Sequence, residues 1–253
     1  MSQDSNEEAR IVFGVRPVDE LVRSRPRDVS VIYVAEGTRS AEIERVVQTA
    51  KERKVAVEVR PRRLVAEMAG DAVHQGLVAI TGRFRYVTID DILAVATAAK
   101  EPALVILLDG ITDPHNLGAI VRSAEVLGAH GVVIPAKSAA PVTAGAVKAS
   151  AGATERVRIA QVNNLMRIID YLRETGLQVL AAGAGDGERL DRLDLTVPLA
   201  LVVGGEGEGI REAVARRCNG RFHIPQQGTV ASLNASVAAA IALYETARQR
   251  RPA

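Results

Sequence analysis

Short, nearly continuous apolar runs rich in Val, Ile and Leu alternate along this chain with stretches whose apolar positions return at helical spacing, which predicts repeated strand and helix units. Over 11–84 the pattern predicts a helix at 18–24, a strand at 29–37, a helix at 40–53, a strand at 55–59, a short helix at 62–70 and a strand at 75–84. Alternation of this kind builds a compact α/β unit on a parallel or mixed sheet. His74-Gln75-Gly76 falls in the loop before the last of these strands, and a lone histidine there reads as a solvated surface residue. A helix-like stretch, IDDILAVATAAK, follows and ends at Glu101-Pro102. The residue before a proline is pushed out of helical geometry, so the linker between two domains is placed at 85–102.

Beyond the linker, ALVILLD at 103–109 reads as a strand covered on both faces. Winding continues with a helix at 118–127, a strand at 131–135, a helix at 142–149, a strand at 157–162 and a helix at 165–175. Strands at 177–183 and 198–205, a helix at 210–218, a strand at 221–225 and a final helix at 233–248 complete it. The fold class is therefore α/β, with 103–250 forming an open, mostly parallel sheet with helices on both faces.

Composition narrows the classes. With 47% apolar and 25% charged residues the chain has the balance of a globular protein, and the polar, acidic residues 1–10 predict a disordered tail. No signal-peptide core or membrane span appears, so a cytoplasmic location without a membrane partner is expected. A single cysteine, Cys218, excludes an internal disulfide and a cysteine zinc cluster; it reads as a packing residue, and no metal is expected. Net charge is only +2, yet KERKVAVEVRPRR at 51–63 holds six basic and two acidic residues, and Arg23, Arg25 and Arg27 cluster before it. This is either a solvated arginine-rich face or a phosphate contact. Aromatics at 3% argue against base stacking, so any RNA would be read through phosphate, ribose and shape.

Ligands of open α/β sheets bind at the carboxyl ends of strands, and three strand ends here are unusual. The first, LLDGITDPHNLGAIVRSAEV, leads into a helix carrying Asn116, Gly118 and Arg122, where Gly118 is expected to leave open space beside the arginine one turn on. The second, LVVGGEGEGIREA, sets Gly204, Gly205, Gly207 and Gly209 around Glu206 and Glu208. Such a turn lets backbone approach a ligand closely. It is neither a phosphate loop ending in Gly-Lys-Ser/Thr nor a dinucleotide fingerprint, and its two carboxylates suit a positively charged ligand such as a sulfonium. The third, HIPQQGTVASLNASVAAAIALYETARQR, is expected to start a helix capped by Ser232, with Val237, Ile241 and Tyr244 as a core stripe. Asn234, a poor helix former in a first turn, reads as either a ligand contact or a local structural residue.

Taken in order, Asn116-Leu117-Gly118 with Arg122, then 205–209 (GEGEG), then Ile224-Pro225 with 232–236 (SLNAS), resemble the three signature motifs of the SpoU (TrmH) family of RNA 2′-O-methyltransferases, within the SPOUT superfamily. The segment 148–153 (KASAGA) resembles a further family segment. Residues from Phe13-Gly14-Val15 to His74-Gln75-Gly76-Leu77-Val78-Ala79 resemble the small RNA-binding domain of the bacterial 23S ribosomal RNA guanosine 2′-O-methyltransferases, so that the likeness spans nearly the whole chain. Val15-Arg16-Pro17-Val18 stands where Ile-Asn-Pro-Val is usual, and Ala235 where Val is common.

The resemblance implies a C-terminal domain with a deep trefoil knot, a homodimer, S-adenosylmethionine as cofactor, and a guanosine of 23S ribosomal RNA as substrate. It implies cofactor contacts at Gly204, Gly205, Gly209, Ile224, Pro225, Leu233 and Ala184, and a catalytic set of Asn116, Arg122, Glu206, Ser232 and Asn234. Guanidinium stays protonated in proteins, so Arg122 is expected to anchor phosphate and stabilise alkoxide charge rather than take a proton. Glu206 either accepts that proton or positions Arg122. Two alternatives remain at this point: an enzyme of the same fold acting on transfer RNA or conferring antibiotic resistance through another ribosomal nucleotide, and a non-catalytic RNA-binding dimer.

Overall fold

Strand pairing in the computed structural model divides the chain between two sheets. The structure describes residues 10–251 except 70–73, 83, 184, 186, 206, 208, 230 and 231. The first sheet holds β1 (Arg10–Phe13), β2 (Val29–Ala35), β3 (Val57–Arg60) and β4 (Leu77–Thr81) in the order β1-β4-β2-β3. β4 is antiparallel to β1 and β2, and β2 is parallel to β3, so the mixed arrangement holds. Helices α1 (Val15–Ser24), α2 (Ala41–Glu52) and α3 (Arg62–Ala69) intervene, and Phe13, Ala35, Val65, Ala69 and Val78 form a shared apolar cluster. β1 was not foreseen. Its four residues RIVF abut the polar tail, too short a run for a period to register. Arg10 belongs to this strand, whereas the rest of the expected tail lies outside the described residues.

The second sheet holds β5 (Leu104–Asp109), β6 (Gly131–Pro135), β7 (Arg158–Val162), β8 (Gln178–Gly183), β9 (Glu188–Arg189), β10 (Leu199–Gly204) and β11 (Gly220–His223). Their order is β7-β6-β5-β10-β8-β11-β9, and every pair is parallel. Around it run α4 (Ile89–Ala99), α5 (Pro114–Val126), α7 (Leu165–Glu174), the short α8 (Glu212–Ala215) and α9 (Ala235–Arg250), whereas α6 (Ala144–Ala149) lies in an excursion between β6 and β7 that does not belong to this unit. All six residues of β5 are buried, as a strand covered on both faces requires. Ile92 of α4 and Ile169 and Leu172 of α7 pack with Val105, Leu107, Val179 and Val202 from the strands.

The chain divides into two compact units, Met1–Arg85 with Val142–Arg156, and Tyr86–Pro141 with Val157–Ala253. The stretch read as a linker carries α4, which begins in a capping box of Thr88 and Asp91 and ends at Lys100 in the left-handed region. The excursion carrying α6 belongs with the first unit. There Glu155, whose side chain is fully buried, pairs with Arg10 at 3.0 Å and with Arg25.

Two features of the second sheet position the site. β11 lies between β8 and β9, strands that follow each other in the chain. Their connection passes so close to β11 that a Cβ on Gly187 (φ +94) would fall 2.2 Å from the Arg221 carbonyl oxygen. A chain segment enclosed in this way by an earlier loop is consistent with the expected knot, a rare exception to ordinary topology. In addition, α5 starts earlier than predicted, with Asp113 capping the His115 N–H (2.9 Å) and Pro114 in the first turn, so Asn116 is helical.

Burial holds the His130 imidazole below its ordinary pKa, only partly opposed by Glu101, and Nδ1 accepts a hydrogen bond from the Leu104 N–H at 3.0 Å. A histidine depressed in the folded state stabilises the fold above its unfolded pKa of 6.5, and that stability is lost as pH falls below it. Urea midpoints are therefore expected to drop between about pH 7.5 and about pH 5.5, and to drop less in His130→Asn, which keeps an acceptor without titrating.

Candidate functional site

The carboxyl ends of β8, β10 and β11 and the first turn of α9 enclose a cavity of about 430 Å³, within the size range of small-molecule and cofactor sites. One wall is nearly bare backbone. A Cβ on Gly204 would fall 2.2 Å from the Gly209 carbonyl carbon, and one on Gly205 would fall 2.1 Å from the Gly110 carbonyl oxygen. Residues with side chains cannot occupy these positions without moving main chain, which is why the turn is built from glycine. The Gly205 N–H donates to the Asp109 carbonyl at 2.9 Å, and the Gly209 N–H returns to the Gly205 carbonyl at 3.2 Å. The opposite wall is mostly apolar, with Phe222, Ile224, Leu233 and Ala238, and Gln226, Ser232 and Asn234 add polar groups.

A carboxylate at the end of β5 holds the turn in place. Asp109 is buried, accepts hydrogen bonds from the Arg211 backbone N–H (2.9 Å) and Nε (2.9 Å), and forms an ion pair with Nη2 at 2.6 Å. That hydrogen bonding raises the Arg211 guanidinium above its already high value, so the guanidinium stays charged. Neither residue was singled out in the sequence. The available signal was an acid ending the most apolar strand, since a buried carboxylate requires a partner.

At the mouth, Asn234 caps α9. Its Oδ1 accepts from the N–H of Ser236 (2.9 Å) and of Val237 (3.3 Å), and its Nδ2 donates to Asn116 Oδ1 at 3.1 Å. The cap expected at Ser232 is corrected: Ser232 lies two residues before the cap and lines the cavity instead. The expected core stripe is corrected too, because Val237 is 45% and Tyr244 51% exposed. Period alone shows that a helix has an apolar face, not what covers it. Gly118 is buried within α5, whereas Arg122 one turn on is exposed.

Among the predicted residues, the structure gathers Gly204, Gly205, Gly209, Ile224, Ser232, Leu233 and Asn234 around the cavity and ties Asn116 to it through Asn234. Pro225 is exposed and does not line it. Arg122 also lies off the wall, exposed on α5, and its guanidinium has no ion pair among the described residues. Glu206 and Ala184 lie outside the described residues. Ala182, Gly183, Val203, Ile210, Phe222, Gln226, Ala235 and Ala238 line the cavity without having been foreseen. Burial pushes the Cys218 thiol up to about 11, so it stays a protonated packing group against the core. No cluster of three or more potential metal ligands occurs among the described residues.

Residues 103–244 match the model of the SpoU rRNA methylase family, and residues 11–87 match a model described as RNA 2′-O ribose methyltransferase substrate binding. An uncharacterized tRNA/rRNA methyltransferase of Mycolicibacterium smegmatis is 43% identical over 97% of this chain and 78% of its own length. A TrmH family tRNA/rRNA methyltransferase of Bacillus subtilis, YacO, so named provisionally, is 37% identical over 95% of this chain and 96% of its own. Among solved structures, the SpoU methyltransferase AviRb of Streptomyces viridochromogenes, in complex with AdoMet, superposes with a TM-score of 0.78 at 27% identity, covering 95% of this chain and 90% of that one.

Introducing a side chain where backbones touch is expected to distort the turn. Gly205→Ala should lose about 1–3 kcal/mol of unfolding free energy, the cost of overpacking. Gly228→Ala, which meets nothing within 4 Å, should stay near wild type. Matched denaturant melts check both.

Proposed function

The chain belongs to the SpoU methylase family, and from its site we propose that it transfers the methyl group of S-adenosylmethionine to a ribose 2′-hydroxyl of RNA, with a guanosine of 23S ribosomal RNA as the target. The observation that carries this reading is the cavity with a bare glycine wall whose mouth holds the Asn116–Asn234 pair. The donor set fits the cofactor: Gly204, Gly205 and Gly209 offer main chain at close range, Ile224 and Leu233 offer apolar cover, and no metal is called for. When bound, S-adenosylmethionine supplies an electrophilic methyl group on a sulfonium. The match of residues 11–87 to a substrate-binding model supports RNA as acceptor, and the motif resemblance noted in the sequence from Phe13 to Ala79 is the support for the finer target.

The chain's own work is alignment and charge. Asn116 and Asn234 orient the ribose at the cavity mouth, where positioning at near-attack distance supplies most of the acceleration. Ser232, on the cavity wall, adds a hydroxyl to the same set. The Arg122 guanidinium holds the nucleotide phosphate while stabilising negative charge on the 2′-oxygen. Glu206 takes the proton or positions Arg122.

Two copies pair in this reading. Ala119, Leu127, Val237, Ala240, Ile241 and Tyr244 line a shallow apolar groove between α5 and α9, an exposed surface of the kind that marks interfaces. It flanks the helix that carries Asn116 and Arg122, so pairing there sets the catalytic helix against the partner. No helix among the described residues is long and apolar enough to cross a membrane, and the proposed location is the cytoplasm, where ribosomal RNA lies.

Methyl-labelled S-adenosylmethionine with separate ribosomal and transfer RNA pools tests the function: label is expected in the ribosomal pool, and label in neither with cofactor bound overturns it. Arg122→Lys should lower turnover by about a hundredfold while leaving cofactor affinity near wild type. Equal loss of both would remove Arg122 from this role. Val237→Arg with Tyr244→Glu should convert a dimer to monomers by light scattering, and an unchanged mass would place the interface elsewhere.

A further inference from the structure

A second cavity, of about 240 Å³, opens where β6 and β7 end, lined by Lys137, Ser138, Asn163, Asn164 and Arg211 together with apolar neighbours. It shares a stretch of chain with the first cavity: Ile210 lines one and Arg211 the other. Its charge is unbalanced in a simple way. Asp109 offsets Arg211, no carboxylate lines the cavity among the described residues, and the Lys137 ammonium is left as one uncompensated positive charge. Asp109 engages Nε and Nη2 of the guanidinium, and the remaining N–H groups are there to donate. Ser138, next to Lys137, is held at φ +62, a conformation that residues other than glycine avoid.

We propose that this cavity binds one phosphodiester of the RNA strand and so fixes the register in which the strand meets the cofactor site. A phosphodiester carries a single negative charge, which matches the single charge of Lys137, and its oxygens accept from ammonium, guanidinium, hydroxyl and amide groups, all present on the wall. No aromatic side chain lines the cavity among the described residues, so it offers no stacking surface and reads backbone rather than base. Because Asp109 ties Arg211 to the glycine turn, a strand held here is anchored to the same rigid element that shapes the cofactor cavity. This inference rests on the reading of the protein as an RNA methyltransferase and assigns to it a strand contact outside the signature motifs.

The test compares wild type, Lys137→Ala and Lys137→Arg for binding of deproteinised ribosomal RNA across a salt series, for cofactor affinity, and for kcat and KM of methyl transfer. Lys137→Ala is expected to bind RNA about tenfold more weakly, to raise KM with kcat at saturating RNA held, and to lower the slope of log affinity against log salt by about one. Cofactor affinity should be unchanged, and Lys137→Arg should restore RNA binding. RNA affinity and slope equal to wild type, or a parallel loss of cofactor binding, overturn the phosphate site alone if the wild type methylates RNA. Wild-type protein that neither retains nor methylates RNA overturns the functional reading and this inference together.

Discussion

Everything at the site depends on two main chains meeting where β10 and β5 end, with no room between them for a Cβ. Gly205 rests on the Gly110 carbonyl, its N–H is taken by Asp109, and Gly204 lies against the returning Gly209. The same aspartate uses its side chain to hold Arg211, so a single residue secures both ends of the turn. The result is a wall of backbone, rigid because it is clamped from beneath, which presents peptide groups to a ligand at distances that side chains would prevent.

The division of labour follows from where the strands end. β8, β10 and β11 supply the glycine-walled cavity proposed for the cofactor, α5 and α9 supply the asparagines at its mouth, and β6 and β7 supply a separate cationic pocket. A formal charge of +2 says little about such a pocket, since charge acts locally and Lys137 stands there with no carboxylate on the described wall. The substrate-binding unit contributes its own tie: Glu155 comes from the excursion between β6 and β7 and is buried against Arg10 and Arg25. Removing either partner of a buried pair is costly, so this excursion is fixed on the first unit rather than loosely laid there.

Much of the fold was legible because parallel strands are long apolar runs and their helices carry caps, as β5 and the Thr88–Asp91 box of α4 show. β1 was not, since its four residues run straight out of the polar tail, and neither was β9, whose two residues carry no period. Burial was harder to read than periodicity: the stripe of Val237, Ile241 and Tyr244 is real, yet it faces outward beside α5. Local chemistry also competed with function in the sequence. Asn234 read equally as a ligand contact or a local structural residue because asparagine disfavours helices; its carbonyl oxygen serves the cap and its amide nitrogen reaches across to Asn116. The Asp109–Arg211 clamp joins residues 102 positions apart, and no local pattern can announce such a pair.

The central claim is that this cavity delivers a methyl group to ribose. Its most direct test is nucleoside analysis by mass spectrometry of ribosomal RNA incubated with the protein and S-adenosylmethionine. The account predicts the gain of one ribose-methylated nucleoside; methylation on a base, or an unchanged nucleoside profile with cofactor bound, would contradict it.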